Sequence, residues 1–113
     1  METRNQDKKV GVIAYELLGT AFLMYGLMVS KASNEVVVTL YSILMYLAWK
    51  VSGGHFNPAI SVGMYVSEMK LGDNAITLLI MVVAQFLGAF LGFLLGYLAL
   101  IDKTWADNHD REK

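Results

Sequence analysis

The sequence predicts an all-α membrane protein: three transmembrane helices plus one re-entrant half-helix. Three observations predict it. Three apolar runs approach or exceed the length that crosses a bilayer, one apolar stretch has about half that length, and an Asn-Pro pair stands at the head of the short stretch. Composition agrees: the 113 residues are 56% hydrophobic and 17% charged, less charge than a soluble domain usually carries. A net charge of -1 gives no basis for a nucleic-acid partner. The absence of cysteine excludes disulfides and thiol chemistry.

Residues 1–9 form a polar N-terminal tail. The apolar run behind it is too long for a signal-peptide core and no small-residue cleavage site follows it. That run, about 10–29, carries one charge, Glu16. About 20 residues at ~1.5 Å each reach ~30 Å, the thickness of a bilayer core. The second span is expected at about 34–51. Its uncharged centre, Val36 to Trp49, is short, and Glu35 and Lys50 can snorkel from its ends. The third, about 75–101, is uncharged throughout and long enough to span with tilt or to project beyond the lipid. Residues 102–113 are a polar tail of mixed charge, expected as loop or disordered. A small soluble helical bundle is the competing reading. It requires polar stripes to face water, which these runs lack.

With the N-terminus on the cytoplasmic side, the inner loops hold Arg4, Lys8, Lys9, Lys50 and Lys70, and the outer ones hold Lys31, Lys103, Arg111 and Lys113. The positive-inside rule therefore leans only slightly towards a cytoplasmic N-terminus.

The informative segment is Ser52-Gly53-Gly54-His55-Phe56-Asn57-Pro58-Ala59-Ile60-Ser61. Asn57 is a preferred helix N-cap and Pro58 suits the first helical position, so a helix starts at Pro58. It is apolar to Ser67, and ten residues of helix cover only ~15 Å. Gly53 and Gly54 allow an unusual backbone just before it. A glycine-rich extended stretch leading into a half-length helix suits a re-entrant segment at about 52–67. Non-helical backbone at membrane depth is tolerated where it is buried in protein or lines a wet cavity. Such a loop would offer carbonyl acceptors from Gly53, Gly54 and His55 and an amide donor from Asn57. The half-helix N-terminus would repel cations while neutral hydrogen-bonding solutes pass.

This ten-residue segment resembles the first NPA loop of the aquaporin and glycerol-facilitator, or major intrinsic protein, family. Glu16, Gly19 and Thr20 in the first span are similar to the family's E-x-x-G-T pattern. Ala84-Gln85 and Gly88-Ala89 in the third are similar to its A-Q-x-x-G-A pattern. The resemblance runs from Gly11 to Leu100 and implies one aquaporin-like half-repeat, about 10–101. In the family two such repeats, inverted, bring two half-helices together and both asparagines donate to a passing oxygen. A second NPA loop, and the arginine that follows it in the family, do not occur in these residues. The resemblance implies passive permeation of water and small neutral solutes such as glycerol. The partners it implies are a lipid bilayer, a second half-repeat and a homo-oligomer, a tetramer by family habit. It implies pore-lining roles for Gly53, Gly54, His55, Asn57, Pro58 and Ala59. It also places Val37, twenty residues before Asn57, at the outer selectivity constriction, where valine would leave a wider filter than phenylalanine; the competing reading, a register slip of one residue, makes Val37 an ordinary lipid-facing side chain.

Glu16 inside a span costs roughly 2.5–3.5 kcal/mol on insertion scales unless paired. On its own it reads as an ion or proton site. The resemblance instead implies a structural buttress holding backbone N–H groups of the pore loop. His55 reads either as a titrating gate or as a residue that shapes the loop. Gly88, Gly92 and Gly96, four apart, form a small-residue face suited to helix packing. No nucleophile–base pair, metal cluster or cofactor motif is present in the sequence, and the chain reads as a non-enzyme. The rival to a half-channel is a non-conducting membrane subunit, or a truncated fragment that serves only in assembly.

Overall fold

A computed structural model describes residues 2–69 and 71–112. Four helices follow one another: α1 (Glu2–Val29), α2 (Asn34–Ala48), α3 (Pro58–Ser67) and α4 (Leu71–Arg111). Among the described residues there is no strand. Two helical segments, Asp7–Val29 and Asn74–Arg111, are long and apolar enough to cross a membrane. α2 is apolar but shorter, with 15 residues.

Small residues set the packing. A Cβ added at Gly88 would collide with the carbonyl oxygen of Leu17, and one at Gly92 with that of Ala21. These two glycines therefore let the backbones of α1 and α4 touch, and the matching four-residue steps show that the helices run parallel. Gly26 of α1 sits under the Leu40 side chain, and Gly11 faces Val51 just beyond α2. The index rises on one side as it falls on the other, so α1 and α2 are antiparallel. α3 descends along α4, where Tyr65 donates to the Met81 sulfur at 3.8 Å.

α2 stops three residues earlier than the sequence suggests. The amides of Val51 and Ser52 both fold back onto the Ala48 carbonyl, each at 2.9 Å. This tight turn sends the chain back towards the middle of α1. The tail beyond Ile101, expected as loop or disordered, is instead helical to Arg111. It has no glycine or proline to stop the helix, and Lys103, Asp107 and Arg111 stand four apart with alternating sign. Trp105 stacks on His109 with ring centroids 5.0 Å apart, one turn on, and His109 and Arg111 complement the carboxyl-terminal dipole. At its other end α4 kinks at Asn74 (φ -121, ψ 17), so the straight apolar helix starts just after it.

Candidate functional site

α3 begins as its sequence dictates. Asn57 is extended (φ -153, ψ 125) and its Oδ1 accepts the Ala59 amide at 2.8 Å, with Pro58 at the first helical position. Capping uses the carbonyl end of the amide, so the Nδ2 hydrogens are left over. Asn57 is exposed, and among the described residues none accepts from Nδ2.

The approach to Asn57 is a sharp loop. Gly53 (φ 89), Gly54 (φ 64) and Phe56 (φ 50) all occupy the left-handed region. At Gly54 a Cβ would lie 3.1 Å from the Met45 Cα, so α2 backbone passes directly beside it. Phe56 has no glycine's freedom, and its conformation costs of order 1–3 kcal/mol. Three contacts hold it. Its amide donates to Glu16 Oε2 at 2.8 Å, its ring fills the space over Gly19, and Tyr41 meets that ring edge-on with centroids 6.2 Å apart.

Glu16 is fully buried and sits at the centre of this arrangement. Oε1 accepts the His55 amide at 3.1 Å, and Oε2 accepts both the Phe56 amide and Gln85 Nε2 at 2.8 Å. Three N–H donors on two oxygens satisfy a carboxylate, an acceptor-only group, without a cation. Gln85 also donates to Ser61 Oγ at 2.8 Å, and Ser61 lies 3.1 Å from His55 Nδ1. The Ser61 hydroxyl has one hydrogen and two lone pairs, so while accepting from Gln85 it can pair with His55 Nδ1 in either imidazole tautomer. The His55 carbonyl accepts the Tyr41 hydroxyl at 3.3 Å, so one of the three loop carbonyls is already engaged. Gln85 Oε1 is buried and has no partner among the described residues.

The level of the loop follows from Glu16, which lies near the middle of the Asp7–Val29 segment. The amino-terminal end of α3 thus stands close to mid-length of α1. Beside it lies a cavity of about 300 Å³ whose wall includes Val37, Phe56, Asn57, Pro58, Thr20 and Gln85. Of the sequence candidates, Val37, Asn57 and Pro58 meet there. Gly53, Gly54, His55 and Ala59 do not line it; the first three shape the loop behind it and Ala59 supplies the amide that Asn57 caps. Ser61 and Gln85 were not singled out as site residues, yet both are almost wholly buried and polar. Their signal was a lone polar group within an apolar run, which must find a partner.

No solved structure matches this chain. A family model does: that of the major intrinsic protein matches residues 29–111, covering α2, α3 and α4. The match takes in well over half of the chain together with the capped half-helix and its loop. By this match the chain belongs to the major intrinsic protein family, and it is an integral membrane protein.

Proposed function

We propose that the chain forms one half of a passive channel for water and small neutral solutes such as glycerol. The family is one of channels for water or small solutes, not of enzymes. The observation that carries the reading is the Asn57 amide: it caps α3 with its oxygen, keeps its donors, and borders the cavity at mid-length of α1. A solute oxygen there accepts from Nδ2, while the positive end of α3 disfavours cations. In this reading α1, α2 and α4 cross the bilayer from a cytoplasmic N-terminus. Glu35 and Lys50 snorkel from the short α2, and residues 52–67 re-enter. Glu16 buttresses the loop, and Val37 narrows the cavity next to Asn57.

A second, inverted half-repeat completes the path, and assembly into a homo-tetramer follows the family pattern. Two features support a covering partner. The cavity wall, otherwise mostly apolar, exposes the Asn57 amide, whose donors are costly against hydrocarbon, and Gln85 Oε1 is a buried acceptor without a donor among the described residues. The test is osmotic shrinkage of vesicles holding the purified chain, followed by stopped-flow light scattering. Fast shrinkage that is lost in Asn57→Asp supports conduction through this site. Shrinkage at the bare-lipid rate favours the non-conducting subunit or fragment.

A further inference from the structure

We propose that Tyr41 is a specificity-determining residue: its hydroxyl covers the His55 carbonyl, an acceptor two residues before Asn57 that a polyol would use for a second hydrogen bond, and so favours water over glycerol. The proposal deepens the channel reading and rests on Asn57 being a solute contact. Val37, Tyr41 and Met45 stand four apart, on one face of α2. They meet the loop in reverse order. Val37 shares the cavity wall with Asn57, Tyr41 reaches the Phe56 ring and the His55 carbonyl, and Met45 lies against Gly54. Along this face the space closes in steps: a cavity at Val37, a single hydrogen bond at Tyr41, backbone contact at Met45.

The closure at Tyr41 is weak. The hydroxyl meets the carbonyl oxygen at 3.3 Å, beyond the roughly 2.7–2.8 Å of a typical O–H···O bond. Among the described residues no other donor reaches this carbonyl. The rest of His55 is committed elsewhere, its amide to Glu16 and its Nδ1 to Ser61. Nor does the hydroxyl alone hold the Tyr41 ring, which meets Phe56 edge-on. A solute hydroxyl can therefore replace the phenol hydroxyl at this carbonyl without moving the loop.

The solute that this arrangement penalises is a polyol. One of its hydroxyls accepts from Asn57 Nδ2, and a second, on the neighbouring carbon, has a proton to donate. Val37 and Phe56, beside Asn57 in the cavity wall, offer that proton no side-chain acceptor. The His55 carbonyl does, and the Tyr41 hydroxyl occupies it. Water has no second carbon-borne hydroxyl to place and loses less. One neutral hydrogen bond gained or lost at such a site is worth about fivefold in occupancy.

Histidine labelled at its carbonyl carbon and phenylalanine labelled at nitrogen mark a single peptide, since His55-Phe56 is the one His-Phe pair in the sequence. The full chain, as wild type and as Tyr41→Phe, is placed in lipid nanodiscs and titrated with glycerol under nuclear magnetic resonance. The Asn57 side-chain amide is followed in a parallel asparagine-labelled sample. In the wild type, glycerol is expected to move the Asn57 signal and to leave the His55 carbonyl still. In Tyr41→Phe the carbonyl is displaced before any glycerol is added, and then moves together with Asn57 at about fivefold less glycerol than the wild type needs. An unchanged carbonyl in glycerol-free Tyr41→Phe overturns the proposal, as does a wild-type carbonyl that follows glycerol as the variant's does. If glycerol moves Asn57 in Tyr41→Phe but not the His55 carbonyl, the proposal fails and the channel reading stands. If it moves neither signal in either protein, both fail. Loss of the Phe56 amide signal in Tyr41→Phe also overturns the proposal, because the hydroxyl then holds the loop and does not merely cover an acceptor.

Discussion

Replacing Glu16 by glutamine tests how the loop before α3 is held. The change keeps volume and shape but removes the charge and turns one acceptor oxygen into a donor. The least costly placement sets the glutamine oxygen at Oε2, where it still accepts from Phe56 and Gln85. Its NH₂ then faces the His55 amide across what was a 3.1 Å hydrogen bond, donor against donor. One charge-assisted bond is lost, worth roughly 1.5–3 kcal/mol, and the two that remain become neutral ones of about 1 kcal/mol each. The net expectation is a destabilisation of about 3 kcal/mol, roughly a 150-fold shift in the unfolding equilibrium. Reversible unfolding in mixed micelles, followed by circular dichroism as denaturing detergent is added, measures it. A change under about 0.5 kcal/mol would refute the reasoning, because Glu16 would then carry no charge-assisted bonds to the loop. Gln85→Leu and the double variant complete a cycle in which the Glu16–Gln85 coupling is expected at about 1–2 kcal/mol.

Gly88→Ala is expected to cost about 1–3 kcal/mol, since its methyl meets the Leu17 carbonyl, whereas Gly63→Ala, with nothing within 4 Å, stays neutral or gains a few tenths. The same unfolding assay separates them, and equal effects would remove close α1–α4 packing from the account. Gly54→Ala combines a left-handed φ with a 3.1 Å approach to the Met45 backbone, and should lose more than about 1 kcal/mol and loosen the loop. Val37→Phe should fill part of the cavity beside Asn57; in any preparation that conducts, glycerol flux should fall more than water flux. Amide hydrogen exchange should be fast over 102–111, where every side chain is exposed, and slow around Ala84 and Gln85, which are buried.

Much of the helical plan is local and therefore legible in the chain. Asn57-Pro58 marks the start of α3 because capping and the proline φ act within a few residues. Glycines four apart mark the α4 face that meets α1, because spacing alone places them on one side. The errors are of the opposite kind. The polarity of residues 102–113 suggested loop, but polarity decides solvation and not helicity, and their side-chain spacing supports a helix. The end of α2 lies at Ala48 because the chain must turn back towards Glu16, a demand made by a residue over thirty positions away.

By itself the sequence determined that this is an apolar helical chain with one half-length helix, and that a carboxylate within its first span needed donors. Those conclusions follow from run lengths, from the cap, and from the cost of burying a charge, none of which requires knowing what lies alongside. Only the tertiary structure decided which donors Glu16 takes, that Gln85 and Ser61 join it, and that Gln85 Oε1 remains unsatisfied among the described residues. It also decided that Val37 and Asn57 share a wall while Gly53, Gly54 and His55 stand behind it. Hydrogen bonds between residues 24 to 69 positions apart depend on how α1 and α4 slide past each other and on how the loop turns. That register is set by the close approach of Gly88 and Gly92 to the α1 backbone, a contact between surfaces that no single segment encodes.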